Sequence, residues 1–253
     1  MSGSQTQIEN TDIDANVNSQ QNLSIGQSQS SGVASLDLLF AGNMPSPSNI
    51  VLLGAPLCGK KILSMQYIYE GLRSEIPGIF VLTDFGYTDW KAKMHGMKMD
   101  ITPFEQSGLL HIVDAYSKQY EPSLQDAGAV SYIANLSALS SLSIKLAEIQ
   151  DKIAQTGRPH RLVFHSVSTL LQEIPSKAFY KFLQFEVGKF RSKGASSFFC
   201  MEKGMHSSED EGMVAHLMDG ILEFENSKIR LRGFGSKEQW HDYSISENGI
   251  EIK

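Results

Sequence analysis

Apolar residues in this chain fall into two alternating rhythms. Short continuous runs such as Ile50–Leu53, Ile79–Leu82 and Leu162–Phe164 read as buried strands, while Ile62, Met65, Ile68, Tyr69 and Leu72 recur at the spacing of one helical face. Extended along the chain, the pattern predicts strands at 49–53, 78–83, 109–113, 161–165 and 196–201, then shorter ones near 220–224, 228–233, 241–246 and 249–252. Helices are predicted at 61–74, 87–97, 135–155, 176–193 and 212–218. Such alternation implies an α/β fold: a mostly parallel central sheet flanked by helices on both faces, with antiparallel strands at the C-terminal edge. The stripe Phe179, Phe182, Leu183, Phe185, Val187 and Phe190 on helix 176–193 reads as core packing, and no site is assigned to it.

Residues 1–30 break the rhythm. Ser, Gln and Asn dominate, and Ile8, Ile13, Val17, Leu23 and Ile25 keep no common register. Too little apolar surface is available there to offset ordering entropy, so a disordered tail is expected over 1–30, either a solubilising extension or a docking arm, ahead of one domain over 31–253.

Composition narrows the function classes. With 41% hydrophobic residues in 253, the chain can bury a full core, and its net charge of −6 supplies no overall basic field for nucleic acid or acidic membranes. No apolar stretch reaches the roughly 18–20 residues of a membrane span, and the first Lys or Arg is Lys60, so neither a secretory signal nor a targeting helix is expected. The two cysteines, Cys58 and Cys200, stand far apart and form no ligand spacing with each other or with the histidines. They are expected to be reduced thiols in a cytoplasmic protein, Cys200 buried and Cys58 exposed, with no bound metal.

The candidate chemistry begins at Gly54, Ala55, Pro56, Leu57, Cys58, Gly59, Lys60 and Lys61. A G-x-x-x-x-G-K run between a buried strand and an amphipathic helix is a phosphate cradle: the glycines let backbone N–H groups approach phosphate oxygens, and the lysine reaches the terminal phosphates. The pattern normally ends in Ser or Thr, whose hydroxyl holds Mg²⁺. Here Lys61 stands in that place.

Several segments together resemble the KaiC-like branch of the RecA superfamily. The entry into the first strand, Ser31-Gly-Val-Ala-Ser-Leu-Asp37 through Gly42 and Pro45, is similar to that family's T-G-x-x-x-L-D lead-in. Lys60 through Gln66 resembles its G-K-T-x-x-x-x-Q helix start, Leu109 through Ser117 its third strand with a D-x-Y-S exit, and 217–221 and 243–252 complete the order. The resemblance implies a RecA-like P-loop domain, ATP as ligand, and assembly with RecA-like subunits as a homo- or hetero-oligomer.

It also exposes departures. The family's fourth strand ends in Asp followed by Ser, and the acid acts through water on Mg²⁺. Here His165 and Ser166 hold those places, and imidazole is a poor ligand for a cation that takes hard oxygen donors. Paired acids usually follow the second strand to orient the attacking water. Asp84 supplies the first, as a candidate catalytic residue or a cap for the helix near Tyr87, and Phe85 replaces the second. His165 itself reads first as a neutral strand-end imidazole bonded to neighbouring backbone, ahead of a pH-dependent or catalytic role.

Arg230 and Arg232 resemble the element by which one family subunit reaches its neighbour's phosphates, or are basic residues of an exposed strand. Glu202 matches a family acid near the phosphates or is a solvated loop residue. The segment 203–212 falls where relatives place a mobile loop, and Glu209, Asp210 and Glu211 there oppose a nucleic-acid backbone.

A lysine ammonium about 4 Å from a phosphate oxygen gains roughly 4 kcal/mol at an effective dielectric near 20, so Lys61 partly replaces the missing positive charge. It cannot supply the bridging geometry by which a metal stabilises phosphoryl transfer. The expected function is therefore a degenerate nucleotide site, non-hydrolysing or weakly ATP-binding with Mg²⁺ doubtful, in a regulatory or assembly module. The alternatives are an ATPase with a rebuilt magnesium site and a recombinase-like protein acting on single-stranded DNA.

Overall fold

The computed structural model describes residues 27–247 and 249–253. In chain order the elements are β1 Gln27–Gln29, α1 Ala34–Leu39, β2 Met44–Ser46, β3 Asn49–Gly54, α2 Lys60–Arg73, β4 Gly78–Leu82, α3 Tyr87–Gly96, α4 Thr102–Gln106, β5 Leu110–Asp114 and β6 Val130–Tyr132. They continue with α5 Leu139–Ala154, β7 His160–His165, α6 Val167–Glu173, α7 Ser176–Ser192, β8 Ala195–Glu202, α8 Ser208–Leu217, β9 Gly220–Glu225, β10 Lys228–Gly233, β11 His241–Ser246 and β12 Gly249–Ile252.

Ten strands form one sheet in the order β12-β11-β10-β9-β3-β8-β7-β4-β5-β6. From β9 to β6 every pairing is parallel, and β9 through β12 are joined antiparallel. The expected architecture is the observed one.

The apolar strand runs divide their residues between two cores, because successive side chains point to opposite faces. Ile50, Leu52, Phe80, Leu82, Phe198 and Cys200 pack with Leu63, Met65 and Ile68 of α2 and with Trp90 and Met94 of α3. Val51, Ile79, Val81, Leu162, Phe164 and Phe199 pack with Leu142, Leu146 and Ile149 of α5 and with Phe179, Phe182 and Phe190 of α7.

Three expectations need correction. Phe185 is 62% exposed rather than core, because it lies between the positions 179, 182, 183, 187 and 190 that share the buried face of α7. The supposed mobile loop 203–212 is half helix: α8 starts at Ser208, where Ser207 Oγ accepts from the Asp210 N–H and the three acids occupy the first turn, favourable at the positive end of the helix dipole. Helix α5 starts at Leu139 rather than 135.

At the N-terminus, residues 27–29 pair antiparallel with 44–46, so order extends into the segment assigned to the tail. The rest of that expectation, residues 1–26, lies outside the described residues.

This N-terminal segment is anchored by the buried Arg161. Its guanidinium donates to the carbonyls of Ser30 at 2.6 Å, Ser31 at 2.7 Å and Tyr67, and lies over the Tyr67 ring at 4.5 Å. Asp37 meets the same segment, accepting from Ser31 N–H at 2.7 Å and Ser30 Oγ at 2.6 Å.

Candidate functional site

In a doubly wound sheet, ligand sites form beyond the carboxyl ends of the parallel strands. Four adjacent strand ends meet there in this molecule: β3 delivers Gly54, β8 Glu202, β7 His165, and β4 leads through Thr83 to Asp84. A cleft of about 460 Å³ opens over them, and its lining includes Lys60, Lys61, Asp84, Lys93, His165 and Glu202.

The loop from Gly54 to Gly59 has a backbone that its glycines make possible. A Cβ on Gly54 would lie 2.7 Å from both Cys58 Sγ and Phe224 Cβ, and Gly59, at φ +102°, precedes the first turn of α2 in a left-handed conformation. The antiparallel strands brace this loop from below. Ile245 and Ile250 would each come within 3.0 Å of a Cβ at Gly59, and the Tyr243 hydroxyl donates to Cys58 O. Pro56 and Leu57 form the exposed crest, with Leu57 itself at φ +62°. Cys58, expected exposed, is half-buried, while Cys200 is buried and its thiol is pushed up to about 12 by burial.

Lys60 is 3% exposed, and its ammonium is held by Gly54 O and Ala55 O at 2.7 Å each and by Glu202 Oε2 at 3.0 Å. Glu202 is thus part of the site rather than a solvated loop acid. Ser168 orients its backbone, its Oγ accepting from Glu202 N–H at 2.9 Å.

Lys61, Asp84, Phe85 and His165 touch one another. Lys61 Nζ lies 3.5 Å from Asp84 Oδ2 and 3.8 Å from the centre of the Phe85 ring. The other Asp84 oxygen, Oδ1, sits 2.9 Å from His165 Nδ1, and the Phe85 ring meets the His165 ring edge-on at 5.3 Å. Lys93, from α3, also reaches the Phe85 ring, at 4.5 Å.

Burial pushes Lys61 below its ordinary value, against the pull of Asp84. Burial also pushes His165 down more strongly than Asp84 raises it, which keeps the imidazole neutral at neutral pH with its Nδ1–H donated to the carboxylate. For Asp84 burial acts upward, but the His165 hydrogen bond and the Lys61 charge outweigh it and hold the carboxyl below its usual range.

These contacts revise two expectations. His165 bonds to a side chain rather than to neighbouring backbone. Asp84 caps no helix: Asp114 Oδ2 accepts from the Tyr87 N–H at 2.8 Å, because β5 ends beside the start of α3. Ser166 is structural here, its Oγ accepting from Ser168 N–H at 3.1 Å as the cap of α6 and its N–H donating to Thr83 Oγ1.

Arg230 and Arg232 lie apart from the cleft lining. Arg230 pairs with Glu223 at 2.7 Å and lies over the Trp240 ring at 4.4 Å, and Arg232 meets Glu238 at 3.7 Å. Lys93 carries no motif that marks it in the sequence; only the return of α3 over the strand ends places it at the cleft.

A family described as "ATPase: KaiC" matches residues 29–253. The chain belongs to the KaiC family. A UPF0273 protein of Thermotoga maritima is 26% identical over 238 residues, covering 87% of this chain and 93% of that protein. The circadian clock oscillator protein KaiC of Acaryochloris marina is 26% identical over 243 residues, covering 88% of this chain and 42% of the clock protein. Among solved structures, the KaiC-like protein PH0186 of Pyrococcus horikoshii superposes with a TM-score of 0.71 at 17% identity, over 90% of this chain and 99% of that one, which shows the shared fold. Membership fixes a RecA-like P-loop architecture in which the glycine loop, the β7 end and the β4 end are the positions to compare. Among the described residues, no helix is long and apolar enough to cross a membrane.

Proposed function

We propose that this KaiC-family protein carries a degenerate nucleotide site and works as a non-hydrolysing or weakly ATP-binding regulatory or assembly module. The single observation that carries the reading is the occupation of Asp84: one oxygen faces the Lys61 ammonium and the other the His165 ring nitrogen. Mg²⁺ does not fit this donor set. It takes oxygen ligands in near-octahedral order, and the positions for a hydroxyl and a carboxylate present a cation and an imidazole.

The glycine loop and Lys60 fit a phosphate better. Residues 54–61 are accordingly proposed as the nucleotide-binding segment, with Lys60 exchanging its carbonyl and Glu202 partners for phosphate oxygens. Asp84 is a weak candidate for positioning water, since both its oxygens are engaged and Phe85 fills space beside it. The cytoplasm, where both free thiols stay reduced, is the proposed setting.

Assembly with further RecA-like subunits is part of the same reading. Arg230 and Arg232 are proposed to reach a neighbour's phosphates, for which they would exchange Glu223 and Glu238. The acidic first turn of α8 opposes nucleic acid as the partner.

Titrating ATP calorimetrically with and without Mg²⁺, beside assays for phosphate release and for particle mass, tests the proposal. Weak binding that gains nothing from Mg²⁺, with no phosphate release, is the expected result. Tight Mg²⁺-dependent binding with turnover overturns it.

A further inference from the structure

The charged groups lining the cleft are Lys60, Lys61 and Lys93 against Asp84 and Glu202, with His165 neutral. The three cations are not equivalent. Lys60 is buried and committed to Glu202, and Lys61 is shared with Asp84. Lys93 is exposed, and among the described residues no carboxylate pairs with it. The net charge of +1 left in the cleft is therefore carried by Lys93.

Two ammoniums at 3.8 and 4.5 Å from one ring centre repel each other, and Lys93 indeed adds to the forces that depress Lys61. The Phe85 ring attracts both and offsets part of that repulsion. A multiply charged anion entering between the glycine loop and α3 would relieve the rest. A divalent cation would add to it.

Resting on the reading of the cleft as a nucleotide site, we propose that Lys61 and Lys93, converging on Phe85, form a two-ammonium seat for the terminal phosphates of a metal-free polyphosphate. The seat takes the place of Mg²⁺, so the ligand is the free nucleotide rather than its magnesium complex. Free Mg²⁺ then competes with the protein for the ligand instead of assisting its binding. Phe85 holds the two ammoniums at the seat through its ring face and touches no phosphate itself.

The test uses the full chain with ATP in excess EDTA, and with inorganic tripolyphosphate as a second probe that lacks the nucleoside. Wild-type protein is expected to bind both probes, and millimolar Mg²⁺ to weaken binding. Lys93→Met is expected to weaken ATP binding about tenfold, the scale of one partly screened charge several ångströms from a phosphate, and Lys93→Arg to retain it. Lys93 is exposed, and unchanged circular dichroism would confirm that both variants fold.

Lys93→Met binding as tightly as wild type overturns the seat, as does Mg²⁺ strengthening wild-type binding or absence of binding to either probe in EDTA. Tripolyphosphate failing where ATP binds also overturns it, since the seat is specified for phosphates. The wider reading fails by a different measurement, Mg²⁺-dependent phosphate release, so the two failures are separable.

Discussion

At Lys61, one side chain changes what its neighbours can be. A hydroxyl there would leave Asp84 free to order water, and an acid at 165 would compete with Asp84 for the same protons and cations. The ammonium instead draws Asp84 toward itself at 3.5 Å, and neutral His165 occupies the remaining oxygen at 2.9 Å. Reverting both positions is therefore expected to act as a pair. In Lys61→Thr with His165→Asp, two carboxylates face each other within hydrogen-bond distance of where the imidazole stood, which is unfavourable when both ionise. The double variant is expected to have a lower Tm than wild type without metal and to regain it with Mg²⁺-ATP, with binding of Mg²⁺-ATP at least tenfold tighter than wild type. Scanning calorimetry with and without Mg²⁺-ATP reads this out, and no gain on adding the metal nucleotide would refute the account of the site.

At the scale of elements, legibility followed the physics that acts locally. The runs in β3, β4, β7 and β8 were readable because strands buried on both faces take consecutive apolar residues through their middles. The loop from Gly54 to Lys60 was readable because its glycines answer to backbone geometry within six residues. The short pieces β1, β2, β6, α1, α4 and α6 were not, since none holds a long apolar run or two full turns of helical spacing. Helix α8 did carry a local sign, Ser207-x-x-Asp210, which the acidity of the segment obscured. Lys93 and the joint engagement of Asp84 depend on elements far apart in sequence, so only the assembled fold brings them together.

Arg161 shows that dependence at an element boundary. The N-terminal pairing of β1 with β2 has only three residue pairs, too little to hold itself, and the adjoining carbonyls of Ser30 and Ser31 rest on the Arg161 guanidinium. Gly71 makes room for it, since a Cβ there would lie 2.5 Å from Arg161 Cδ. Arg161→Met keeps the stem but removes the donor from three carbonyls, two of them on the buried residues Ser31 and Tyr67, at about 3 kcal/mol of lost stability. Urea unfolding is expected to show that loss, and hydrogen exchange of residues 27–31 to accelerate far more than that of β3. Unchanged exchange in 27–31 would mean that Arg161 is not the anchor.

For the molecule as a whole, strand β7 links the cleft to the opposite end of the sheet, because it begins and ends in a buried histidine. His165 faces the cleft, and His160 lies at the other end, where Gln150 of α5 donates from Nε2 to its Nε2 at 3.1 Å and Nδ1 has no partner among the described residues. Burial, with a smaller push from His111, moves His160 from 6.5 down to about 4. Between those values the unfolded chain binds a proton that the folded one refuses, so stability rises with pH across the window and is lost as pH falls from 6.5 toward 4. The loss is about 3 kcal/mol by pH 4 from this group. His111 and His165 are also pushed down by burial and act in the same direction, so only a difference between variants isolates His160. His160→Leu is expected to be less stable at pH 7, with Gln150 deprived of its acceptor, yet to lose about 3 kcal/mol less than wild type between pH 7 and pH 4. Urea midpoints at one-unit pH intervals provide the comparison, and parallel curves for the two proteins would show that His160 stays protonatable in the folded state.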